Sequence, residues 1–457
     1  MGNRPVTREL AKYIVELKYE DLGLETIQAT KEAVLDQIGI MLMGSTLPWT
    51  QPSYKVIREL SSKAECTIVG TATRVAAPDA AFVNANFGHS CEFDDSGYDG
   101  GAHPGALTVP PALAIAEREH LSGPDFLLAI VLGYDTMTRI GRVLSKPILD
   151  KGFHHQSVVG PFGAAATAGK LLGLTEHEMV HALSIAGSHS SGTMEYDQRG
   201  GEVKRIHSSI PVRAGMMAAL LAQQGLTGPE TILEGLRGIP RVYGDISDSD
   251  PIAADLGPER WHAVQGRIVK PFPTLGTLHT SIQAMARLQE QHLRPEDVDQ
   301  IDVWVNPLTL SHGGAIYQPE DTIGAQFSMA FSLALRLIKG TNYLQHYMDP
   351  TLWNDPEIVA LGKRVTVHAD PCMVGEIWFG ARVQVTLTNG SQMEAVEFFR
   401  KGSPQSPLTE DELLVKFRGL ASAALDESEI QKIIEAVRHL EELEDVADLG
   451  RMLTKTT

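Results

Sequence analysis

The chain has 457 residues, of which 43% are hydrophobic and 21% are charged. A chain of this length is too long to fold around a single hydrophobic core, so we expect a folded protein of two or three domains. The formal net charge of −18 argues against a nucleic-acid partner, because phosphate binding needs clustered Lys and Arg, and the sequence contains no such cluster.

The N-terminal residues enter an amphipathic pattern at Leu10, Ile14 and Leu17 without a continuous apolar stretch. We therefore expect no signal peptide, no membrane span and no membrane partner. The cysteines are odd in number and widely spaced, with no C-x-x-C pair, so neither a disulfide framework nor a zinc or iron–sulfur motif is indicated. A reducing, cytoplasmic location is expected. The three cysteines are Cys66, Cys91 and Cys372.

Apolar residues from position 7 to about 266 recur mainly at helical spacing, as in Ala33, Leu35, Ile38, Met41 and Leu42. The pattern predicts a large helical domain over residues 1–269. Two stretches rich in Ala and Gly, which permit close helix–helix approach, are expected to be buried helices. These stretches are Gly160–Gly173 and Ala214–Gln224.

The pattern changes after Lys270. Residues 301–305 alternate, residues 365–368 are rich in β-branched side chains, and Asn389-Gly390 separates two alternating runs, which is a strong hairpin signal. We predict an α+β domain over 270–401 that contains one helix from Gly324 to Ile338. Residues 402–457 return to helix, with a capping-box start at Thr409, and are expected to pack back on the first domain. The predicted fold class is therefore mainly α, with a large all-helical domain and a smaller α+β domain.

The segment from His89 to Gly105 contains four acidic residues, two histidines and four glycines between two helical stretches. Such a polar run cannot be a core helix or strand, so it is a loop. Carboxylates beside imidazoles suit proton transfer at neutral pH, with a carboxylate as base and a histidine as acid. The alternative is a helix cap and turn with solvated acids. The acid–base candidates in this loop are Glu92, Asp94, Asp95 and His103.

Cationic groups stand in two further places. Lys204-Arg205-Ile206-His207 precedes a helix that begins near Ile210, where backbone N–H groups and the helix dipole favour anions. A solvated basic turn is the alternative. Lys270, followed by His279, lies where the helical half meets the α+β half, and interdomain clefts often bind small ligands.

His154 and His155 stand just before the Gly160 helix, where adjacent histidines are more often a cap and a packing residue than metal ligands. Since no second pair with ligand spacing accompanies them, no metal is predicted. Cationic groups in a strongly acidic chain are best explained by a small polyanionic substrate, whose carboxylates need local positive charge. Removal of a proton next to a carboxylate of such a substrate creates an enediolate-like intermediate. Without a metal, the protein must stabilise this intermediate by lysine, histidine or backbone N–H groups.

At these segments the sequence resembles the MmgE/PrpD family, which includes 2-methylcitrate dehydratases, cis-aconitate decarboxylases and iminodisuccinate epimerases. The resemblance implies a helical main domain, a smaller lid-like α+β domain, a homodimer and no cofactor. The residues that it implies as catalytic are Glu92, Ser96, His103, His154, Lys204 and Lys270. The matching stretches are Ala81–Asn84, His89–Asp95, Ala102–Gly105, Phe153-His154, Val159-Gly160, Lys204–His207, Lys270–Pro273 and Ala325–Ser328.

The sequence departs from the family pattern at two positions. Glu92 stands where an aspartate is usual, and Leu275 stands where the decarboxylases carry an additional histidine after the lysine. The leading hypothesis is a cofactor-independent hydro-lyase for a hydroxy di- or tricarboxylate of the citrate or 2-methylcitrate type. An epimerase or decarboxylase on a related polycarboxylate is the alternative, and a non-catalytic binding or scaffold protein is the alternative of another class.

Overall fold

The computed structural model describes residues 4–97, 100–196, 201–257, 262–313 and 316–455. Asp99, the fourth acidic residue of the His89–Gly105 loop, lies outside the described residues. The chain divides into two compact units. Unit 1 contains Met1–Ser90, Asp94–Ile268 and Thr409–Thr457, and unit 2 contains Cys91–Phe93 and Val269–Leu408.

Unit 1 is mainly helical, as the apolar spacing predicts. Its helices are α1 (Val6–Glu16), α2 (Leu24–Gly44), α3 (Gln51–Leu60), α4 (Ala77–Gly88), α5 (Pro104–Glu119), α6 (Gly123–Asp150), α7 (His155–Leu171), α8 (Glu176–Gly187), α9 (Ser209–Gln223), α10 (Ile239–Gly244) and α11 (His262–Gln265), and later α19 (Glu410–Ala421), α20 (Glu427–Arg438) and α21 (Ala447–Met452).

The prediction of an all-helical domain needs one correction, because unit 1 also contains two short antiparallel ladders. Strand β1 (Cys66–Thr67) pairs with β2 (Arg74–Val75), and β3 (Ser96–Gly97) pairs with β4 (Arg267–Ile268). Each strand has only two residues, which is too short for the alternation that identifies a strand in a sequence. The second ladder fixes the middle of the His89–Gly105 loop.

The Gly160–Gly173 stretch lies in a buried helix, as predicted, whereas the Ala214–Gln224 stretch is buried on one face only, because Met217 and Leu221 are exposed. Helix α7 packs against both α6 and α9. At Gly133 of α6 a Cβ atom would clash with the Thr167 hydroxyl, and at Gly215 of α9 it would clash with the Pro161 carbonyl oxygen. These glycines are therefore required for the close approach of the three helices, which hold the histidine-bearing segments described below.

The C-terminal helices belong to unit 1. Thr409 begins α19 with the predicted capping box, in which Glu412 bonds back to the Thr409 backbone N–H. Helix α19 packs on α2, where the Phe417 ring lies against Gly39 and Lys416 Nζ is 2.7 Å from Asp36 Oδ1. Both members of this ion pair are buried.

Unit 2 contains a four-stranded sheet of order β6-β5-β7-β8, with β5 and β6 parallel and the other pairs antiparallel. The predicted Asn389-Gly390 hairpin joins β7 to β8. The strands are β5 (Val298–Val305), β6 (Val365–Ala369), β7 (Ala381–Leu387) and β8 (Gln392–Glu397). The helices are α12 (His279–Glu290), α13 (Pro307–Gly313), α14 (Thr322–Gln326), α15 (Met329–Lys339), α16 (Leu344–Met348), α17 (Pro350–Trp353) and α18 (Pro356–Gly362).

The core of unit 2 lies between one sheet face and helices α12 and α15. Ile301, Val303 and Val305 alternate along β5 and are buried there. The single helix predicted over 324–338 is wrong, since two helices occupy the segment. Ser328 separates them, because its hydroxyl accepts from the Phe331 N–H and so caps a new helix.

Within the described ranges, no helix combines the length and the apolar character that crossing a membrane requires.

Candidate active site

The loop that follows α4 carries the first part of the candidate site. Helix α4 ends at Gly88, and His89 follows as its buried C-cap residue. Ser96 lies on β3, paired with Ile268. His103 is the N-cap residue of α5, where Pro104 occupies the first helical position and favours helix initiation. The loop is therefore fixed at both ends by helix termini and in the middle by a ladder.

Asp94 contacts two imidazoles. Its Oδ2 atom lies 2.6 Å from His89 Nδ1 and 3.2 Å from His103 Nδ1, and the Asp94 and His89 side chains are both 1% exposed. His103 Nδ1 is also 2.7 Å from the Asp95 carbonyl oxygen, so this nitrogen carries a proton and donates it there. A carboxylate that holds an imidazole in one tautomer is a recurrent device for orienting a catalytic histidine.

Burial lowers the pKa of His89 to about 4, although the Asp94 carboxylate opposes this. Burial alone would raise the pKa of Asp94, but the His103 and His89 rings outweigh it and hold that pKa well below its usual range. At neutral pH Asp94 is therefore a carboxylate that accepts the Nδ1–H of a neutral His89. Within the described part of the chain His89 Nε2 has no hydrogen-bond partner, so its lone pair is available to a substrate proton.

Asp95 has different hydrogen-bond partners from Asp94. Its Oδ2 accepts from the Tyr134 hydroxyl at 2.7 Å, and its Oδ1 accepts from the Gly105 N–H at 2.9 Å. Burial raises the pKa of Asp95 to about 6, although both hydrogen bonds lower it. A Cβ atom at Gly105 would lie 3.0 Å from Asp95 Oδ1, so this contact depends on glycine. Because both oxygens are engaged, Asp95 anchors the start of α5.

Three more histidines extend the cluster. His154, the N-cap residue of α7, lies with Nδ1 2.9 Å from His207 Nδ1, so one ring donates and the other accepts. The His154 ring centroid is 6.2 Å from His89 and 5.3 Å from His155. Burial lowers the pKa of His154 well below its ordinary value, that of His155 to about 3 and that of His207 to about 4. We call His89, His103, His154, His155 and His207 the histidine cluster.

The basic segment predicted before α9 is a short 3₁₀ turn, Glu202–Ile206. Lys204 is buried, and its positive charge contributes to the lowered pKa values of His89 and His207. Arg205 has a scaffold role in the structure: its guanidinium donates to the Ser90 carbonyl oxygen and stacks on the Trp49 ring at 4.2 Å. The turn thus brings Lys204 and His207 to the histidine cluster.

Unit 2 holds three other predicted residues. Lys270 Nζ donates to the Glu92 carbonyl oxygen at 3.1 Å and lies 3.5 Å from Glu92 Oε2, with both side chains buried. Gln326 connects their segments, donating to the Cys91 and Pro273 carbonyl oxygens. Glu92 has φ of 55°, a left-handed conformation uncommon for a glutamate. His279 is buried at the start of α12, edge-on to Phe272.

Three residues of the loop have the geometry of a possible metal site. Ligand atoms of His89, Asp94 and His103 lie within 4.8 Å of one another, which would allow an ion to bind. The sequence predicts none. The hydrogen bonds of these residues give each a role without an ion, and activity after chelation tests the prediction.

Two contributors were not identified from the sequence. His89 is the first residue of the His89–Gly105 loop. Its position five residues before Asp94 is the sequence signal that could have identified it as a partner of that carboxylate. Gln156 of α7 accepts from the His103 N–H at 2.7 Å and donates to the Ser208 hydroxyl at 2.7 Å, so it ties three site segments together. No local pattern distinguishes such a buried glutamine, because its partners are distant in the chain.

The comparisons with known proteins cover most of the chain. The MmgE/PrpD N-terminal domain matches residues 8–251, and the MmgE/PrpD C-terminal domain matches residues 272–442. A cis-aconitate decarboxylase-like protein of Aspergillus oryzae, oryM, is 30% identical over 98% of this chain and 97% of its own length. The cis-aconitate decarboxylases of Aspergillus terreus and Homo sapiens are 28% and 27% identical, each over 98% of this chain and at least 95% of the relative. The chain therefore belongs to the MmgE/PrpD family.

Proposed function

We propose that the chain is a lyase that acts, without a cofactor, on a tricarboxylate of the citrate or aconitate type. The observation that carries this proposal is the histidine cluster, in which Asp94 holds the neutral His89 and the Nε2 atom of that ring has no hydrogen-bond partner among the described residues. Neutral imidazoles accept protons, and an anionic substrate beside them raises their pKa, so that they can also deliver protons. This is the acid–base equipment needed for chemistry at a carbon next to a carboxylate.

The first candidate reaction is decarboxylation of cis-aconitate or a close analogue, which the names of the full-length relatives favour. The bond to one carboxylate breaks and CO₂ leaves. The electron pair shifts through the double bond to the far carbon, which takes one proton. His103 or His154 would deliver that proton. Lys204 would neutralise a remaining carboxylate.

Dehydration is the second candidate, and Leu275 favours it. By the family resemblance, this residue stands where the decarboxylases carry an additional histidine, and its side chain packs against the apolar core of unit 2. A hydro-lyase needs a base for the proton next to a carboxylate and an acid for the departing hydroxyl. Within unit 1, His89 would be the base and His103 or His154 the acid, and Glu92 is the other candidate base because the family resemblance implies it as catalytic.

The test is an NMR assay in heavy water with citrate, 2-methylcitrate, cis-aconitate and iminodisuccinate. Decarboxylation, dehydration and simple exchange of the α-proton give different products, so one panel separates the candidates. No turnover and no exchange with any of the four acids would refute the proposal.

Two variants then assign the steps. If the reaction is dehydration, His103→Gln should slow product formation strongly while exchange of the α-proton remains measurable, because the base is intact; if it is decarboxylation, His103→Gln should slow product formation alone, because that reaction removes no α-proton. Glu92→Gln should abolish both signals if Glu92 is the base. Equal exchange in wild type and Glu92→Gln would move that role to His89. His189→Gln, at an exposed histidine, is the matched control and should behave as wild type.

A further inference from the structure

A second group of potential metal ligands lies in unit 1 on and near helix α8. This helix contains no residue of the histidine cluster. The sequence His177-Glu178-Met179-Val180-His181 places two histidines four residues apart on one helix face, so the expectation that the chain has no second histidine pair with ligand spacing is wrong. Their Nε2 atoms are 3.3 Å apart. Glu230, in the segment after α9, brings a carboxylate oxygen so close that all three ligand atoms lie within 4.8 Å of one another.

We infer that His177, His181 and Glu230 form a Zn²⁺ site. Tetrahedral zinc with Zn–N distances of about 2.0–2.1 Å requires ligand nitrogens roughly 3.3 Å apart, which matches the separation of the two Nε2 atoms. Two histidines and one glutamate are an established zinc ligand set, with a water molecule in the fourth position.

The second histidine is held in place for this role. His181 is buried, and its Nδ1 lies 3.1 Å from the Gly228 carbonyl oxygen and 3.2 Å from the Gly228 N–H group. When Nε2 binds an ion, Nδ1 must carry the proton and donates it to that carbonyl oxygen, which is a common arrangement for a zinc-bound histidine. The ring therefore needs no rotation to bind.

Glu230 has a competing contact that an ion can replace at small cost. Its Oε2 lies 3.1 Å from Arg8 Nη2, and both side chains are about half exposed. Exposed pairs of this kind contribute little to stability. A divalent ion between two imidazoles would attract the carboxylate more strongly than one solvated guanidinium.

The motif H-E-x-x-H also occurs in zinc peptidases, where the glutamate is the general base. Here the Glu178 carboxylate accepts from the Thr175 N–H and hydroxyl, both at 2.8 Å, as part of the capping box that starts α8. Since the carboxylate is committed to the helix start, we assign metal binding to this site and not hydrolysis. Bound zinc would tie α8 to the segment after α9.

The experiment is a titration of chelator-treated protein with Zn²⁺ by calorimetry, repeated with Co²⁺, whose visible absorption reports tetrahedral coordination. We expect one equivalent to bind, and His177→Gln and Glu230→Gln each to weaken the affinity at least tenfold. Zn²⁺ should also raise the thermal midpoint of wild type but not of His177→Gln. Turnover should be unchanged in His177→Gln.

Two controls separate this site from the alternatives. His189→Gln, at an exposed histidine that follows the same helix, should bind zinc as wild type does. His103→Gln should do the same, because it alters only the His89–Asp94–His103 group. Zinc binding that His103→Gln removes and His177→Gln leaves intact would overturn the inference, and so would the absence of stoichiometric binding to wild type.

Discussion

Replacing His89 by asparagine tests the protonation state of the cluster. The asparagine amide can still donate a hydrogen bond to Asp94, so the packing of the loop is kept while the titrating ring is removed. Burial lowers the pKa of His89 from 6.5 to about 4 in the folded chain. The unfolded chain therefore binds a proton more readily than the folded chain, and this destabilises the folded state as the pH falls below about 6.5.

The size of the effect follows from the same shift. Between pH 7 and pH 5 one histidine with these two pKa values costs the folded state about 2 kcal/mol. Asp94 adds little in this range, because its pKa is held low and it stays ionised. Wild type should therefore lose about 2 kcal/mol more stability than His89→Asn over this interval. Above pH 7 the difference between the free energies of unfolding of wild type and His89→Asn should no longer change with pH.

Urea unfolding of wild type, His89→Asn and the exposed control His189→Asn at pH 5, 6 and 7 measures this difference. The control should follow wild type. Activity provides a second readout: loss of an acid–base group should slow turnover roughly 10²- to 10⁴-fold. Equal losses of stability in wild type and His89→Asn between pH 7 and pH 5 would show that His89 is not held neutral by burial.

Three other predictions follow from the site and the family. Lys204→Met should lower kcat/KM by an amount equivalent to about 2 to 4 kcal/mol with little change in thermal midpoint; a variant that unfolds while its folded fraction works normally would make Lys204 structural. Dialysis against a strong chelator should leave turnover unchanged; activity that one divalent ion alone restores, in His177→Gln as well as in wild type, would make His89, Asp94 and His103 metal ligands. The protein should sediment as a homodimer at micromolar concentration, because its many small-residue helices favour further apolar burial by self-association; a stable monomer would contradict this.

Local sequence patterns predict the helices and strands better than they predict the roles of the residues in the candidate active site. Apolar spacing located α2, and the Asn389-Gly390 signal located the β7–β8 hairpin, because both depend on neighbours in the chain. The break at Ser328 was missed, since a serine inside an apolar helical pattern is ambiguous until its hydroxyl is seen to cap a helix.

Within the site, residue types were predictable but roles depended on distant contacts. Asp94 and Asp95 are adjacent and chemically identical, and nothing in the sequence distinguishes them. The structure does, because Tyr134 and Gly105 engage both oxygens of Asp95 while Asp94 contacts His89 and His103. The sequence likewise gives no sign of the left-handed backbone at Glu92. Aspartate adopts this conformation more readily, because its short side chain can hydrogen-bond to the nearby backbone, which is a physical reason for the aspartate of the family pattern.

The buried Asp36–Lys416 pair has a consequence for biosynthesis. The ribosome delivers Asp36 early, whereas its partner on α19 emerges only after the whole of residues 269–408 has been made. Lys416 follows Asp36 by 380 residues (416 − 36), so at translation rates of 5–20 residues per second this interval is about 20 to 80 s. During it, the α2 surface that α19 will cover stays open, with the Asp36 carboxylate in water. Unit 1 can therefore complete its core only after residues 269–408 of unit 2 have been synthesised, and nascent chains in this interval expose an apolar surface that chaperones can bind.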